Sequence, residues 1–252
     1  MTQAYLICKE TESKGYTDKK EKTTSQFGLF VGYLLNPDDY EFLADQFKVI
    51  QKKHNPAGEQ LIIDNLTPEA QQLLRNDVFE CLISNDVVCV YEALSAQELQ
   101  SSYDLFSEMF GENKKKTEPK STSDNSKLHC ELFEGIFGKA ISFFVDNYND
   151  TIHLNVVSDE ISEPQKLEFE KIGKQFITLF ASTQDEASQE TDIAKTTFEI
   201  GVVNSEFTLI ANVLAHSINH HLEKEITRDA DAVLCSFDTI SEHPLAELMY
   251  GI

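Results

Sequence analysis

"QFGLFVGYLLNPDDYEFLADQFKVIQKKH", residues 26–54, decides the reading of the fold. Residues 27–35 are apolar or glycine without interruption, the pattern of a short strand buried on both faces. The pattern then switches. Asn36 is a helix N-cap, Pro37 fits the first helical position, and Asp38 and Asp39 fill the first turn. Lys48, Lys52 and Lys53 crowd the end, where they complement the helix dipole. A buried strand feeding directly into a capped helix implies layered α/β structure.

Reading outward, "AYLIC" (4–8) is a short β-prone run, separated from the first stretch by the polar segment "KETESKGYTDKKEKTTS" (9–25). That loop is too small for a helical crossover, so the first two strands are expected to be antiparallel. Downstream, "QLIID" (60–64) reads as a short strand. "TPEAQQLLRNDVFECLIS" (67–84) repeats the cap, Pro, acid opening as Thr67, Pro68 and Glu69, with apolar spacing at Leu73, Leu74, Val78, Cys81 and Leu82. "DVVCVYEA" (86–93) is a strand and "SAQELQSSYDLFSEMF" (95–110) a capped helix. The Lys-, Ser- and Thr-rich stretch at 111–127 has no periodicity and reads as an exposed loop.

The second half continues with a helix at 128–148, a strand at 151–157, and a helix capped by Ser162 with Pro164 just inside it. A strand at 195–203, a helix at 206–225, a final strand at "DAVLCSFD" (231–238) and a short helix or tail complete the chain. The strands near 87, 152 and 198 are separated by helices and can run in parallel. The expectation is one α/β domain over 1–252, with a mixed central sheet, antiparallel at its start and parallel later, and helices on both faces.

Composition narrows the function classes. Asp and Glu number 43 against 21 Lys and Arg, a net charge of −22, and Arg75 and Arg228 are the only arginines. A broad nucleic-acid-binding face needs the opposite balance, so a protein partner with a basic surface is the expected one. Nucleic acid is left two routes, a metal site or the lysines of the 111–127 loop. No apolar run approaches membrane-spanning length, and "MTQAYLICKETESKG" lacks a basic segment followed by an apolar stretch. The expected location is the cytoplasm, with no membrane partner. Five scattered cysteines with no C-x-x-C pair read as buried free thiols. There is no G-x-S-x-G elbow and no phosphate-cradling glycine loop.

In such a sheet, functional groups gather beyond the carboxyl ends of strands. Glu10 and Glu12 follow the first strand, Asp159 and Glu160 the strand at 151–157, and Asn204, Ser205 and Glu206 the strand at 195–203. Converging carboxylates are what Mg²⁺ or Mn²⁺ requires, and Asp159, Glu160 and Glu206 are the candidate ligands. Acids also end strands and cap helices for purely structural reasons. On the helix at 206–225, Phe207, Ile210, Ala211, Leu214, Ile218 and Leu222 form an apolar arc. Thr208, Asn212, His216, Asn219 and Glu223 line the opposite stripe. His216 and His220, four residues apart, can share a metal, although Ser217 stands where a zincin motif needs Glu.

Taken in order, these segments resemble an uncharacterised bacterial and phage family, the "DESG" family, with an RNase H-like fold. Its members open on a strand ending in Asp-Glu-Ser-Gly. Further on they carry a strand ending in Asp-Glu, here "LNVVSDEIS". They close on a strand–Ser–helix with a Leu-Gln-x-Ala-Asp-x-x-Ala pattern, here "VVNSEFTLIANVLAHSI". The resemblance implies an RNase H-like three-layer fold and a metal-dependent catalytic corner. The chain departs from the pattern at "ICKETES", where the strand-end Asp is lost unless Glu10 or Glu12 substitutes. It departs again where Leu209 replaces Gln and Asn212 replaces Asp. A site short of carboxylates holds metal poorly. The expectation is an eroded site and a binding or scaffold role, in a phage-defence or phage-encoded assembly, with no cofactor. The alternative is an active Mg²⁺/Mn²⁺ nuclease using Glu10 or Glu12, Asp159, Glu160 and Glu206, with Asn212 as a weak ligand.

Overall fold

Asn36 ends a strand and starts a helix with one side chain. Its Oδ1 accepts the Asp39 backbone N–H at 2.9 Å, and its Nδ2 donates to the Asp39 carboxylate at 2.6 Å. In a computed structural model, whose described residues are 2–11, 27–55, 61–95, 125–148, 151–158, 161–183, 196–202, 206–229 and 232–251, this junction joins β2 (Phe27–Leu35) to α1 (Pro37–His54). Before it comes β1 (Thr2–Thr11); after it come a 3-10 turn (Ile63–Asn65), α2 (Pro68–Ser84) and β3 (Cys89–Ser95). Then follow α3 (Asn125–Asn147), β4 (Ile152–Ser158), α4 (Glu163–Thr183), β5 (Thr197–Val202) and α5 (Glu206–Arg228). A four-residue α6 (Phe237–Ile240) and a second 3-10 turn (Ala246–Leu248) close the chain.

The sheet is mixed, in the order β3-β2-β1-β4-β5. β1 is its pivot: antiparallel to β2, with Ile7 opposite Tyr33, and parallel to β4, with Ile7 beside Val157. β5 continues in parallel beside β4. β3 pairs antiparallel with β2, so it points the same way as β1 without touching it. The first two strands therefore pair antiparallel, as their short connection predicts, and β4 and β5 pair in parallel; β3 shares their direction but its pairing with β2 is antiparallel.

Every residue of β2 is buried. Alternate side chains leave a strand on opposite faces, so β2 feeds two cores. Phe27, Leu29, Val31, Tyr33 and Leu35 join Ile7 and the inner faces of α1, α2 and α5. Phe30 and Leu34 join Ala4, Leu6 and Cys8 beneath α3 and α4. In that second core Phe133 lies flat on Phe169 at 4.2 Å and meets Phe30 edge-on at 6.3 Å. Each such ring contributes about 1.5–3 kcal/mol by burial, and the ring pairs about 0.5–1.5 kcal/mol more.

Three expectations need correction. Residues 63–65 form a 3-10 turn rather than the end of a strand; Gln71 Nε2 donates to the Ile63 and Leu66 carbonyls at 3.1 and 3.2 Å and holds the turn onto α2. Residues 125–127 belong to α3, not to a loop; Ser95, expected to cap a helix at 95–110, ends β3, and the rest of that helix and 111–124 lie outside the described residues. "DAVLCSFD" is not a strand. Among the described residues its backbone turns into α6, while Leu234 and Cys235 cap the open side of β3. Tyr91 Oη donates to the Leu234 carbonyl at 2.9 Å, and the Ala93 N–H reaches Cys235 Sγ at 2.9 Å. Met249 adds a single parallel bridge to Cys89, so this edge is covered against pairing with other chains.

Candidate functional site

Glu10 sits near the carboxyl end of β1. It falls in step with Ala4, Leu6 and Cys8, so it faces α3 and α4, and its carboxylate is bonded to His129 Nδ1 on α3. Opposite it on β2 is Phe30, and beyond Phe30 on β3 is Glu92. Glu92 is held by Lys139 of α3 at 3.0 Å, and Lys139 also donates to the Tyr91 carbonyl at 2.7 Å. Gly135 makes room for this pairing: a Cβ there would stand 2.6 Å from the Glu92 carboxyl carbon. Glu10 and Glu92 are thus each matched by a basic group of α3. They stand two strands apart, about 10 Å, with an aromatic ring between them, too far to share one cation.

Glu206 lies on the other face. It opens α5, is 17% exposed, and has Lys48 of α1 at 4.0 Å. The next residue, Phe207, is locked beneath it. Its carbonyl accepts the Tyr33 hydroxyl at 2.8 Å, and its ring stacks on Tyr40 at 4.3 Å, which in turn stacks on Tyr5 at 4.3 Å. The structure therefore separates Glu10 from Glu206 by the thickness of the sheet. Asn212 is six residues beyond Glu206, about 120° around the helix and 9 Å along it, so the two do not share a face. Glu12, Asp159 and Glu160 lie outside the described residues, as do Asn204 and Ser205. Among the described residues no three His, Cys, Asp or Glu side chains are placed to hold a metal ion. Glu10, Glu206 and Asn212 do not by themselves fit one.

Asn212, His216 and His220 follow one another at four-residue spacing, and this stripe runs into a groove between α5 and α2. The helix is buried on more sides than its apolar arc predicts: Thr208, Leu209, Val213, Ala215 and Ser217 are buried too, because α2 and the C-terminal segment pack on it. What stays open is the groove. One recess of about 330 Å³ is lined by Asp64, Gln71, Arg75, His216 and His220 among others. A second, of about 290 Å³, shares Gln72, Arg75 and His220 with it and extends to Lys224, His221 and His243. His216 Nε2 is 3.2 Å from the exposed Asp64 carboxylate. Burial, and then the Lys224 ammonium, hold His220 below its ordinary value; His216 and Arg75 push the same way, against Glu223.

His243 is the groove's buried wall. Its Nδ1 accepts the Leu245 backbone N–H at 3.2 Å, and its Nε2 meets Ser217 Oγ at 3.1 Å. Burial first, then His221 and Arg75, push it down to about 4. The neutral ring with Nδ1 occupied carries its proton on Nε2 and donates it to Ser217. A serine whose oxygen accepts from the imidazole has no base to deprotonate it, so this pair is not a nucleophile–base dyad.

The sequence reading names His216 and His220 but not Asp64, Lys224, His221 or His243 as their neighbours. One signal was available: four of the seven histidines fall after residue 215. A scan against protein-family models returns no match, and a search of curated proteins returns none. Among the described residues no helix is long and apolar enough to cross a membrane.

Proposed function

We propose that this is a non-catalytic protein of RNase H-like fold that acts by binding a basic protein partner, as a subunit or scaffold of a phage-defence or phage-encoded assembly. The strand order β3-β2-β1-β4-β5, with its switch from antiparallel to parallel pairing at β1 and helices packed on both faces, supports the fold. The observation that carries the functional reading is the placement of Glu10 and Glu206. They are on opposite faces of the sheet, with His129 bonded to the first and Lys48 beside the second. A divalent cation needs several oxygens at one point, and these two do not supply it. The net charge of −22 favours a basic protein over a polyanion. The assembly itself rests on the resemblance of the strand and helix segments to the phage-associated family.

The test has two arms. Purified protein is assayed for RNA and DNA cleavage across Mg²⁺ and Mn²⁺, beside Asp159→Ala. It is also used to capture partners, whose binding is titrated with salt. The expected outcome is no cleavage with either metal, and a basic partner whose dissociation constant rises steeply with ionic strength. Metal-dependent cleavage that disappears in Asp159→Ala would overturn the reading in favour of the nuclease.

A further inference from the structure

The two arginines of this acidic chain are used differently. Arg228 is held by two carboxylates, Glu225 at 2.6 Å and Glu242 at 3.6 Å. Arg75 hydrogen-bonds only the uncharged Gln72 among the described residues, and Lys224 has no carboxylate partner among them either. Arg75 lines both of the adjoining recesses between α2 and α5, and Lys224 lines the second. Among the described residues the one acid lining those recesses is Asp64, 79% exposed and matched by His216. In a molecule with 43 acids to 21 bases, this is a local inversion of charge.

We propose that this groove is a binding site for a small phosphate-bearing ligand. Arg75 presents a planar fork of N–H donors that matches two phosphate oxygens at once, and Lys224 adds a second positive charge from the facing helix. Gln72, bonded to the guanidinium, fixes its orientation without neutralising it. His220, whose ring feels both Arg75 and Lys224, lines both recesses and supplies a further donor. The size is set by the recesses, about 330 and 290 Å³, which suit a small molecule. A nucleic-acid polymer is disfavoured, because the surrounding acidic surface repels each further phosphate.

Calorimetric titration with inorganic phosphate and with 5′-AMP, at constant ionic strength set with chloride, tests this. Saturable one-site binding is expected. Tighter binding of 5′-AMP assigns the site to a phosphate ester, and equal or tighter binding of inorganic phosphate assigns it to the free anion. Arg75→Gln is expected to weaken the preferred probe by about tenfold or more, and Arg228→Gln to leave it within about twofold. If Arg75→Gln does not fold, Lys224→Gln, at an exposed position, carries the comparison with an expected loss of about threefold. Failure of both probes to saturate, or unchanged affinity in the groove variant that is measured, would refute the site.

Discussion

His243 Nε2 lies 3.1 Å from Ser217 Oγ while its Nδ1 accepts the Leu245 N–H, so one neutral imidazole ties the C-terminal segment to α5. Its pKa is pushed down to about 4 by burial and by His221 and Arg75, against an ordinary 6.5. The unfolded chain takes up the proton more readily than the folded one. Stability is therefore full above about pH 6.5 and is lost as pH falls toward 4, by roughly 3 kcal/mol for a side chain only 4% exposed. Urea denaturation at pH 7 and pH 4.5 should show this loss. In His243→Ala the pH 7 stability should fall and the acid-dependent part shrink; a parent-like pH slope in the variant would refute the assignment.

Thiol chemistry separates the cysteines. Cys8, Cys81 and Cys89 are buried, and burial pushes Cys89 up to about 12 and raises Cys81. Cys235, its Sγ donating to the Ala93 carbonyl at 3.3 Å and receiving its N–H, is also pushed up to about 12, by burial and then by Glu92. Only accessible thiolates react rapidly, so at pH 8 burial should make Cys8 label slowly, and burial with a raised pKa should do the same for Cys81, Cys89 and Cys235. Cys130, half-buried on α3, should label first, and Cys130→Ser should remove that phase. Fast labelling of Cys235 in the native protein would contradict the β3 edge described above.

The Gly135 prediction runs against helix propensity. Alanine in place of a helical glycine ordinarily adds about 1 kcal/mol of stability. Here the new Cβ would stand 2.6 Å from the Glu92 carboxyl carbon, whose position is fixed by Lys139. Gly135→Ala should therefore destabilise, by about 1–2 kcal/mol. In a Glu92→Ala background the same change should become stabilising. A double-mutant cycle by urea denaturation measures that reversal of sign, and a stabilising Gly135→Ala in the parent would show the packing to be looser than described.

Where local chemistry decides structure, the sequence is readable. Asn36–Pro37 and Thr67–Pro68 open helices as their caps require, and the nine apolar positions 27–35 are a strand buried on both sides. Where burial comes from a distant segment, it is not. In "AVLC" Leu234 and Cys235 cover β3 while Val233 is exposed, so an apolar run there records partial burial rather than strand pairing. Leu73 sits in the apolar pattern of α2 yet is 58% exposed. His216 and His220 look like the wet stripe of a helix, and what gives them neighbours is Arg75 from α2 and His243 from the C-terminal segment. The carboxyl-edge reading supplied Glu10 and Glu206, but the face on which each lands follows from strand pleat and helix packing, not from its proximity to a strand end.

Tyr33 offers the last prediction. Its hydroxyl, buried between the sheet and α5, donates to the Phe207 carbonyl at 2.8 Å and pins the start of α5 to β2, just beyond Glu206. Burial, and then the Cys89, Tyr40 and Glu206 groups around it, hold its phenol well above the usual range. Tyr91, which reaches the Leu234 carbonyl, is raised as well, mainly by burial. A raised phenol stays protonated in the folded chain after its unfolded counterpart has ionised. The folded state thus loses stability as pH climbs above about 10. Tyr33→Phe should lower stability at pH 7 by about 1 kcal/mol, the net worth of one buried hydrogen bond. It should also flatten the alkaline loss measured by denaturation between pH 9 and about pH 11. Tyr33→Phe and Tyr91→Phe together should flatten it further, since the two hydroxyls anchor different segments, α5 and the C-terminal cover of β3. An alkaline profile that neither substitution changes would mean that these hydroxyls do not hold the two segments in place.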